Sequence, residues 1–263
     1  MKNPCRICGH EKSNFLLTKT RGPFKSTFVQ CQQCQSARID PYPSEEDLMT
    51  YYNSDYLEMD LSESENLGVS HKTRFAPEYR ATVYNEYAYG MADLGYDTKN
   101  INNVGAILDF GCADGIFLDF LLNKGVSGEN LYGYDIGSDM ISIATQKGHN
   151  CTDKYEDLMN KKFGLITLWD VMEHVSYPQD VVKQVKSLLQ VGGEVLVQTP
   201  NFGELGLSLG KSFAHYLVVE HVNLFSRKAL IDIFENQGFR CLAQSSFGAG
   251  AYEKNVSQPY KSS

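Results

Sequence analysis

The sequence lacks any long apolar run, and this absence limits where the protein is expected to reside. No stretch approaches the roughly 18 consecutive apolar residues that a membrane-spanning helix needs. Residues 1–5 also lack the apolar run of a secretory signal peptide. The expectation is therefore a cytoplasmic protein with no membrane partner. Its 263 residues, 42% of them hydrophobic, suffice for one large α/β domain and a small appendage.

Basic residues are also scarce. The chain has 24 Lys and Arg against 32 Asp and Glu, which gives a formal net charge of −8. Binding to a phosphate backbone depends on clustered Lys and Arg, because their contacts release counterions. The basic residues near the start of the chain are scattered: Lys12, Lys19, Arg21 and Lys25. Nucleic acid is therefore not the expected partner.

Four of the seven cysteines fall in two Cys-x-x-Cys pairs, Cys5/Cys8 and Cys31/Cys34. Each pair can present two thiolates from a tight turn, and two such turns complete a tetrahedral four-sulfur zinc site. The alternatives are two disulfides or two unrelated redox pairs. The missing secretory signal disfavours disulfides, and a single redox motif leaves the second pair unexplained. We therefore predict a small N-terminal zinc ribbon and interpret the other three cysteines as packing residues.

Composition changes after the second cysteine pair. Most of the segment 58–74 is acidic, rich in serine and poor in aromatic residues, which is typical of a linker or lid. We predict a zinc ribbon with a Tyr-rich segment over 1–57, a linker or lid over 58–74, and an α/β domain over 75–263.

Strand and helix patterns alternate in the larger domain. Apolar runs predict strands over 106–110, 131–135, 165–169 and 194–199. Amphipathic patterns predict helices over 115–123, 139–147, 179–189 and 227–236, preceded by a helix over 75–94 with an aromatic stripe. The alternation is typical of a doubly wound, mostly parallel sheet. Residues 240–247 supply one more candidate strand, without an evident antiparallel partner.

A glycine-rich turn follows the first of these strands, at Asp109-Phe110-Gly111-Cys112-Ala113-Asp114-Gly115. Such a turn lets a nucleotide approach the backbone closely. A dinucleotide site is the competing interpretation, but its Gly-x-Gly-x-x-Gly pattern is not matched. Asp109 would repel a pyrophosphate, whereas it suits a cationic ammonium such as that of S-adenosylmethionine. Asp135 ends the next strand, where sheets of this kind hydrogen-bond both ribose hydroxyls.

Over residues 85–239 the sequence resembles the class I S-adenosylmethionine-dependent methyltransferases. The family's Asp/Glu-x-Gly-x-Gly-x-Gly motif matches 109–115, with Ala113 in place of the middle glycine, and its Asp-Val-Leu-Glu-His-Val segment matches 170–175. The resemblance implies a Rossmann-like methyltransferase fold with S-adenosylmethionine as the cofactor. The cofactor-binding residues that it implies are Asp109, Phe110, Gly111, Cys112, Gly115, Asp135, Ile136, Glu156, Asp157, Trp169 and Asp170.

Both ends of the chain resemble one subgroup of this family, which is associated with sugar and polysaccharide biosynthesis. That subgroup begins with two Cys-x-x-Cys pairs, a Pro-x-Pro and a Tyr-Tyr-x-x-x-Tyr stretch, which match residues 5–56. It also carries Thr-Pro-Asn, matched at 199–201, and Glu-His-x-x-x-Phe-Ser/Thr, matched at 220–226. The resemblance implies a small hydroxylated acceptor, such as a nucleotide-linked sugar.

Two histidines are the candidate bases. Methyl transfer to a hydroxyl or an acidic carbon requires removal of a proton, and histidine accepts protons near neutral pH. His174 follows Glu173 and His221 follows Glu220, so we predict these four residues to be catalytic. The alternative for His174 is a histidine that braces a loop.

The sequence is also compatible with two other functions. One is an RNA base methyltransferase that uses the zinc ribbon to hold structured RNA. The other is a binding module that keeps the cofactor pocket without catalysing a reaction.

Overall fold

The computed structural model describes residues 3–22, 24–44, 46–48, 75–96 and 101–246. The linker predicted over 58–74 and the boundary predicted at residue 57 lie outside the described residues. The chain forms two compact units. The first comprises Met1–Ala76, Asp170–Lys183 and Thr199–Arg240, and the second comprises Pro77–Trp169, Gln184–Gln198 and Cys241–Ser263.

The second unit is built on a sheet of five parallel strands. Its strands are β4 (Ile107–Phe110), β5 (Leu131–Tyr134), β6 (Asn150–Thr152), β7 (Phe163–Trp169) and β8 (Leu189–Gln198). They lie in the order β6-β5-β4-β7-β8. The four predicted strands are confirmed, and so is the Rossmann-like fold. The short strand β6 was not predicted.

Helices alternate with these strands. They are α1 (Pro77–Asp93), α2 (Ile116–Asn123), α3 (Ser138–Gln146) and α4 (Pro178–Leu188), and α5 (Arg227–Glu235) belongs to the first unit. Helix α4 begins at Pro178, whose fixed φ suits a first turn. Helix α5 begins after Ser226, whose side-chain oxygen accepts a hydrogen bond from the Ala229 N–H at 3.2 Å. The five predicted helices are confirmed to within a few residues.

The strand order places a switch point at β4. The chain runs outward from β4 to β5 and β6, and then continues on the other side of β4 with β7 and β8. In open sheets of this kind, ligands bind beyond the carboxyl ends of the strands at the switch point. The turn after β4 and the residue after β5 are therefore at the ligand-binding edge.

The core of the second unit includes the predicted aromatic stripe of α1. Tyr87 and Met91 are buried, and Tyr79 and Val83 pack against the same cluster. The Tyr87 ring lies 4.8 Å from that of Trp169, centroid to centroid. The stripe is therefore core, as such stripes usually are.

The first unit contains an antiparallel sheet of four strands, β1 (Ser13–Arg21), β2 (Phe24–Cys31), β3 (Ala37–Ile39) and β9 (Asn223–Leu224), in the order β1-β2-β3-β9. Strand β9 pairs with β3, so a C-terminal segment completes the N-terminal sheet. This pairing explains why Thr199–Arg240 belongs to the same unit as the beginning of the chain. The sheet packs on a core that includes Phe28, Phe202 and Leu224.

The strand predicted over 240–247 is wrong for the part that the structure describes. Residues 240–246 form no strand, and Leu242 is exposed. Without a neighbouring strand, an extended segment has no ladder of hydrogen bonds to hold it. Among the described residues, no helix combines the length and the apolar character needed to cross a membrane.

Candidate active site

The turn between β4 and α2 adopts a left-handed backbone at three positions. The φ angles are 89° at Gly111, 46° at Ala113 and 79° at Gly115. Glycine is required at Gly115 for a second reason: an added Cβ would lie 2.7 Å from Cδ2 of His149. Ala113, which replaces the family's middle glycine, carries a Cβ, and the left-handed region costs such a residue about 1–2 kcal/mol. Other contacts must therefore hold this turn.

Asp135 supplies one of those contacts. Its Oδ2 accepts a hydrogen bond from the Ala113 N–H at 2.9 Å, and its Oδ1 accepts one from the Gly137 N–H at 2.8 Å. A carboxylate oxygen has two lone pairs, so each oxygen can accept a second hydrogen bond. Asp135 is half-buried at the end of β5. Its geometry suits a ligand with two neighbouring hydroxyls, as a ribose has.

Asp109 is buried within β4, with 3% of its surface exposed. Its Oδ1 accepts a hydrogen bond from the Thr167 hydroxyl at 2.7 Å. Burial, with a smaller contribution from the negative charge of Asp135, raises the pKa of the Asp109 carboxyl to about 7, against the lowering effect of the Thr167 hydrogen bond. A cation bound beside Asp109 would lower this pKa.

The raised pKa of Asp109 makes the stability of the protein depend on pH. The folded chain holds this proton more tightly than the unfolded chain, so the stabilisation is complete below about pH 4 and is lost as the pH rises toward 7. Asp109→Asn cannot ionise. We therefore expect the difference in unfolding free energy between the variant and the wild type to shift in favour of the variant by roughly 2–3 kcal/mol as the pH rises from 5 to 8. Denaturant titrations at both pH values measure this difference; a difference that is the same at both would contradict the burial argument.

Apart from Asp170, which belongs to the first unit, the remaining predicted cofactor residues end or follow strands of the second unit. The N–H groups of Gly111 and Cys112 both donate to the Tyr134 carbonyl, at 2.7 and 3.0 Å. Phe110 packs on the Tyr134 ring, with centroids 4.8 Å apart. Ile136 follows Asp135 and is 84% exposed, which leaves a large apolar side chain beside the carboxylate.

The last three of these residues differ in burial. Glu156 and Asp157 are exposed on a 3-10 turn, Tyr155–Leu158, and Asp157 accepts a hydrogen bond from the Thr152 hydroxyl at 2.6 Å. Trp169 ends β7 and is buried against the Tyr87 and Phe117 rings. Its indole Nε1 has no hydrogen-bond partner among the described residues. Buried donors are usually paired, so this atom is a candidate ligand contact.

These features fit S-adenosylmethionine. The carboxylate of Asp135 can accept from ribose hydroxyls, Ile136 offers an apolar surface, and Trp169 offers a buried donor. The Asp170 residue that follows β7 adopts a left-handed φ of 51°.

The predicted catalytic residues meet within the first unit. The rings of His174 and His221 are in contact, with centroids 4.7 Å apart at an angle of 83°. The His174 Nδ1 donates to the Glu220 carbonyl at 3.1 Å, and the His221 Nδ1 donates to the His215 carbonyl at 2.9 Å. A carbonyl oxygen can only accept, so both Nδ1 atoms carry hydrogen and the lone pair of each neutral ring is on Nε2.

Burial keeps both rings neutral. It lowers the pKa of His174, and it lowers the pKa of His221 well below the usual value, with smaller contributions from the nearby rings of His174 and His215. Glu173 is buried, with Oε2 accepting from the Thr199 hydroxyl at 2.8 Å. Burial, together with the charge of Asp170, raises the pKa of Glu173 well above its usual value.

Glu220 has a different role from Glu173. Its Oε1 lies 2.6 Å from Nη1 of Arg21, in an ion pair that is mostly buried. The side chain of Glu220 is therefore paired with Arg21 of strand β1. Its backbone carbonyl orients His174. The side chain adjacent to the histidine pair is that of Glu173: one of its oxygens and one nitrogen from each ring lie within 4.8 Å of one another.

The four predicted zinc ligands come together in the first unit. Their sulfur atoms all lie within 4.8 Å of one another, with Cys5 Sγ 3.8 Å from Cys34 Sγ and Cys8 Sγ 3.5 Å from Cys31 Sγ. Zinc–sulfur bonds of about 2.3 Å in a tetrahedron place the sulfurs about 3.8 Å apart. The cluster therefore fits zinc, whereas a disulfide needs sulfurs about 2.05 Å apart.

A family model described as a methyltransferase domain matches residues 79–244, well over half of the chain. The chain belongs to the class I S-adenosylmethionine-dependent methyltransferases.

Individual relatives of this methyltransferase are distant. It is 28% identical over 105 residues to a ubiquinone biosynthesis O-methyltransferase of Erwinia tasmaniensis, covering 36% of this chain and 42% of that protein. It is 26% identical over 120 residues to a protein of the same description from Pectobacterium atrosepticum, covering 41% and 48%. The chain thus spans under half the length of these curated relatives. A solved methyltransferase from Archaeoglobus fulgidus matches with a TM-score of 0.49 and 20% identity, covering 61% of this chain and 69% of that one.

Sequence reasoning missed several residues that hold the predicted site residues in place. Thr167 binds Asp109, Thr199 binds Glu173, and Arg21 binds Glu220. Thr167 lies within a strand of otherwise apolar residues, and a single hydroxyl there was a signal that could have been used. Arg21 and Glu220 are separated by 199 residues, and no local pattern connects them.

Proposed function

We propose that this chain catalyses methyl transfer from S-adenosylmethionine to a small hydroxylated metabolite, with a nucleotide-linked sugar or a polysaccharide precursor as the acceptor class. The observation that carries the cofactor assignment is Asp135, which faces the ligand-binding edge with both oxygens held by backbone N–H groups. Family membership supports the reaction type. The nucleotide-linked sugar rests on the resemblance of both chain ends to the sugar-modifying subgroup.

Within this proposal, Asp135 binds the ribose hydroxyls, and the N–H groups and side chains of the turn 109–115 border the rest of the cofactor. We propose that the nucleoside is contacted by Trp169, Ile136, Glu156 and Asp157. Asp170, which follows β7, is proposed to contact the cofactor as well. S-adenosylmethionine, when bound, supplies a methyl group activated by a sulfonium. The chain contributes orientation and removal of the acceptor proton.

His221 is the proposed proton acceptor. Its Nδ1 is fixed on the His215 carbonyl, so its Nε2 presents the lone pair. Because the oxygen of Glu173 and the ring nitrogens of His174 and His221 are at most 4.8 Å apart, one point lies within about 2.8 Å of all three, a hydrogen-bond distance. We propose that the acceptor oxygen binds at this point.

As the acceptor oxygen took the methyl group that S-adenosylmethionine would supply, leaving the electron pair of the former bond on sulfur, the hydroxyl proton would go to His221. His174 and Glu173 are proposed to orient the acceptor, and Glu220 to orient His174 through its carbonyl.

Replacing the base tests this assignment. We expect His221→Gln to lower turnover by about a hundredfold or more, because glutamine cannot take the proton. The affinity for S-adenosylmethionine should change little. Turnover at saturating cofactor and cofactor binding are measured separately, and equal losses in both would refute the role of His221 as base.

We further propose that Cys5, Cys8, Cys31 and Cys34 bind one structural zinc ion. Four thiolates complete its coordination, which leaves no open position for catalysis. The proposed role is to hold the N-terminal turns in place.

A labelled-cofactor assay tests the proposed function. The protein is incubated with methyl-labelled S-adenosylmethionine and a panel of nucleotide sugars, and each acceptor is examined by mass spectrometry for the gain of one methylene. A gain on a nucleotide sugar that is lost in His221→Gln supports the proposal. Cofactor binding without transfer to any member of the panel would contradict the acceptor class.

A further inference from the structure

A network of charged side chains surrounds Asp114, inside the second unit and next to the cofactor turn. Asp114 Oδ2 accepts from Arg80 Nη1 at 2.9 Å and from Lys147 Nζ at 2.7 Å. Asp119, one turn into α2, bonds the same two cations, and its Oδ1 contacts His149 Nε2 at 2.7 Å. The network connects α1, the turn, α2 and the end of α3.

The side chain of Asp114 is fully buried. A buried carboxylate is costly unless cations and hydrogen bonds compensate its charge. Lys147 makes a second contact here, because its Nζ also donates to the Asp114 backbone carbonyl at 2.7 Å. Lys147 therefore fixes both the side chain and the peptide of this residue.

Asp114 is bonded directly to the strained residue of the turn. Ala113 has a φ of 46°, which an alanine rarely adopts. In that conformation the N–H of Ala113 donates to Oδ2 of Asp135 at 2.9 Å. The contacts thus form a chain from Lys147 to Asp114, then to the backbone of Ala113, and finally to the carboxylate that binds ribose in the proposed function.

We propose that Lys147 and Arg80 are positioning residues for the cofactor. By holding Asp114 they keep Ala113 left-handed, and so they keep the carboxylate of Asp135 oriented for the ribose hydroxyls. Neither residue touches the cofactor. This inference rests on the proposed function, since it concerns the binding of S-adenosylmethionine at Asp135.

The Lys147→Met variant tests the positioning role of Lys147. Methionine keeps the aliphatic stem but removes both contacts to Asp114, while Arg80 still compensates the buried charge, so the chain is expected to fold. In calorimetric titration with S-adenosylhomocysteine, we expect about tenfold weaker binding. At saturating S-adenosylmethionine, turnover should remain within about twofold of the wild type. The weaker binding should therefore appear as a higher KM for S-adenosylmethionine. Lys147→Arg should restore affinity.

Lys183→Met is the matched control. Lys183 forms an exposed ion pair with Asp180 on α4, at 2.8 Å, and exposed pairs of this kind contribute little. The affinity of the Lys183→Met variant for S-adenosylhomocysteine should equal that of the wild type. Thermal unfolding of each variant shows whether a loss of binding reflects loss of fold.

The backbone of Ala113 provides the decisive comparison. Glycine adopts the left-handed region readily, so Ala113→Gly should make the turn independent of the network. In that background, Lys147→Met should weaken binding by less than about twofold. An undiminished tenfold loss in the double variant would overturn the proposed route through Ala113. If the wild type binds S-adenosylhomocysteine and Lys147→Met binds it equally well, the positioning role is wrong. If the wild type does not bind it, the proposed function itself fails.

Discussion

Asp135→Ala is expected to weaken the binding of S-adenosylmethionine by about a hundredfold to ten-thousandfold. Two hydrogen bonds from ribose hydroxyls to a carboxylate contribute about 1.5–3 kcal/mol each, and each 1.4 kcal/mol is a factor of ten in affinity. The variant also loses the contacts to the Ala113 and Gly137 N–H groups. Calorimetric titration with S-adenosylmethionine measures the change.

The control for this prediction is Asp139→Ala. Asp139 lies only four residues away, in the first turn of α3, but it is exposed. The Asp139→Ala variant should bind the cofactor with the affinity of the wild type. Wild-type affinity in Asp135→Ala, with the fold intact, would remove the main support for the cofactor site.

The second large effect is expected at the cysteine cluster. Cys31 is fully buried beside the other three sulfurs. Cys31→Ser removes one thiolate from the proposed zinc site. Because the binding energy of a structural zinc is folding energy, of order 10 kcal/mol in small zinc domains, we expect the variant to lose both its metal and the folded N-terminal turns. Elemental analysis should give one zinc per wild-type chain and none in the variant.

Cys241→Ser serves as the matched replacement. Cys241 is exposed, and its thiol donates to the Ala243 carbonyl at 3.6 Å. Its zinc content and unfolding temperature should equal those of the wild type. A wild-type chain that is folded and carries no zinc when purified with zinc present would contradict the zinc proposal.

The parallel sheet could be predicted from the sequence because its signals are local. The strands β4, β5 and β7 are short apolar runs that contain or directly precede an Asp, at Asp109, Asp135 and Asp170. Most of the helices have an apolar face. The aromatic stripe predicted on α1 is buried at Tyr87 and Met91. These elements depend little on residues far away in the chain.

The antiparallel sheet could not be predicted in the same way. Strand β9 consists of two residues, Asn223 and Leu224, and it pairs with β3 near the start of the chain. A two-residue strand has no periodicity. The same long-range folding brings His174 and His221 together, so the sequence could identify the two histidines separately but could not show that their rings are in contact.

The charged network was missed for a related reason. In the sequence, Asp114 occupies a variable position of the glycine-rich motif, and Asp119 interrupts an apolar helix. An acidic residue within the run Ile-Phe-Leu-Asp-Phe-Leu-Leu is a signal that a cation must face it. The partners could not be named, because Arg80 comes from α1 and Lys147 follows α3.

The most direct test of the cofactor assignment is a pair of titrations on the purified chain, one with S-adenosylmethionine and one with NAD. We expect the wild type to bind S-adenosylmethionine, Asp135→Ala not to bind it at the same concentrations, and neither protein to bind NAD. Binding of NAD, with no binding of S-adenosylmethionine, would contradict the cofactor assignment.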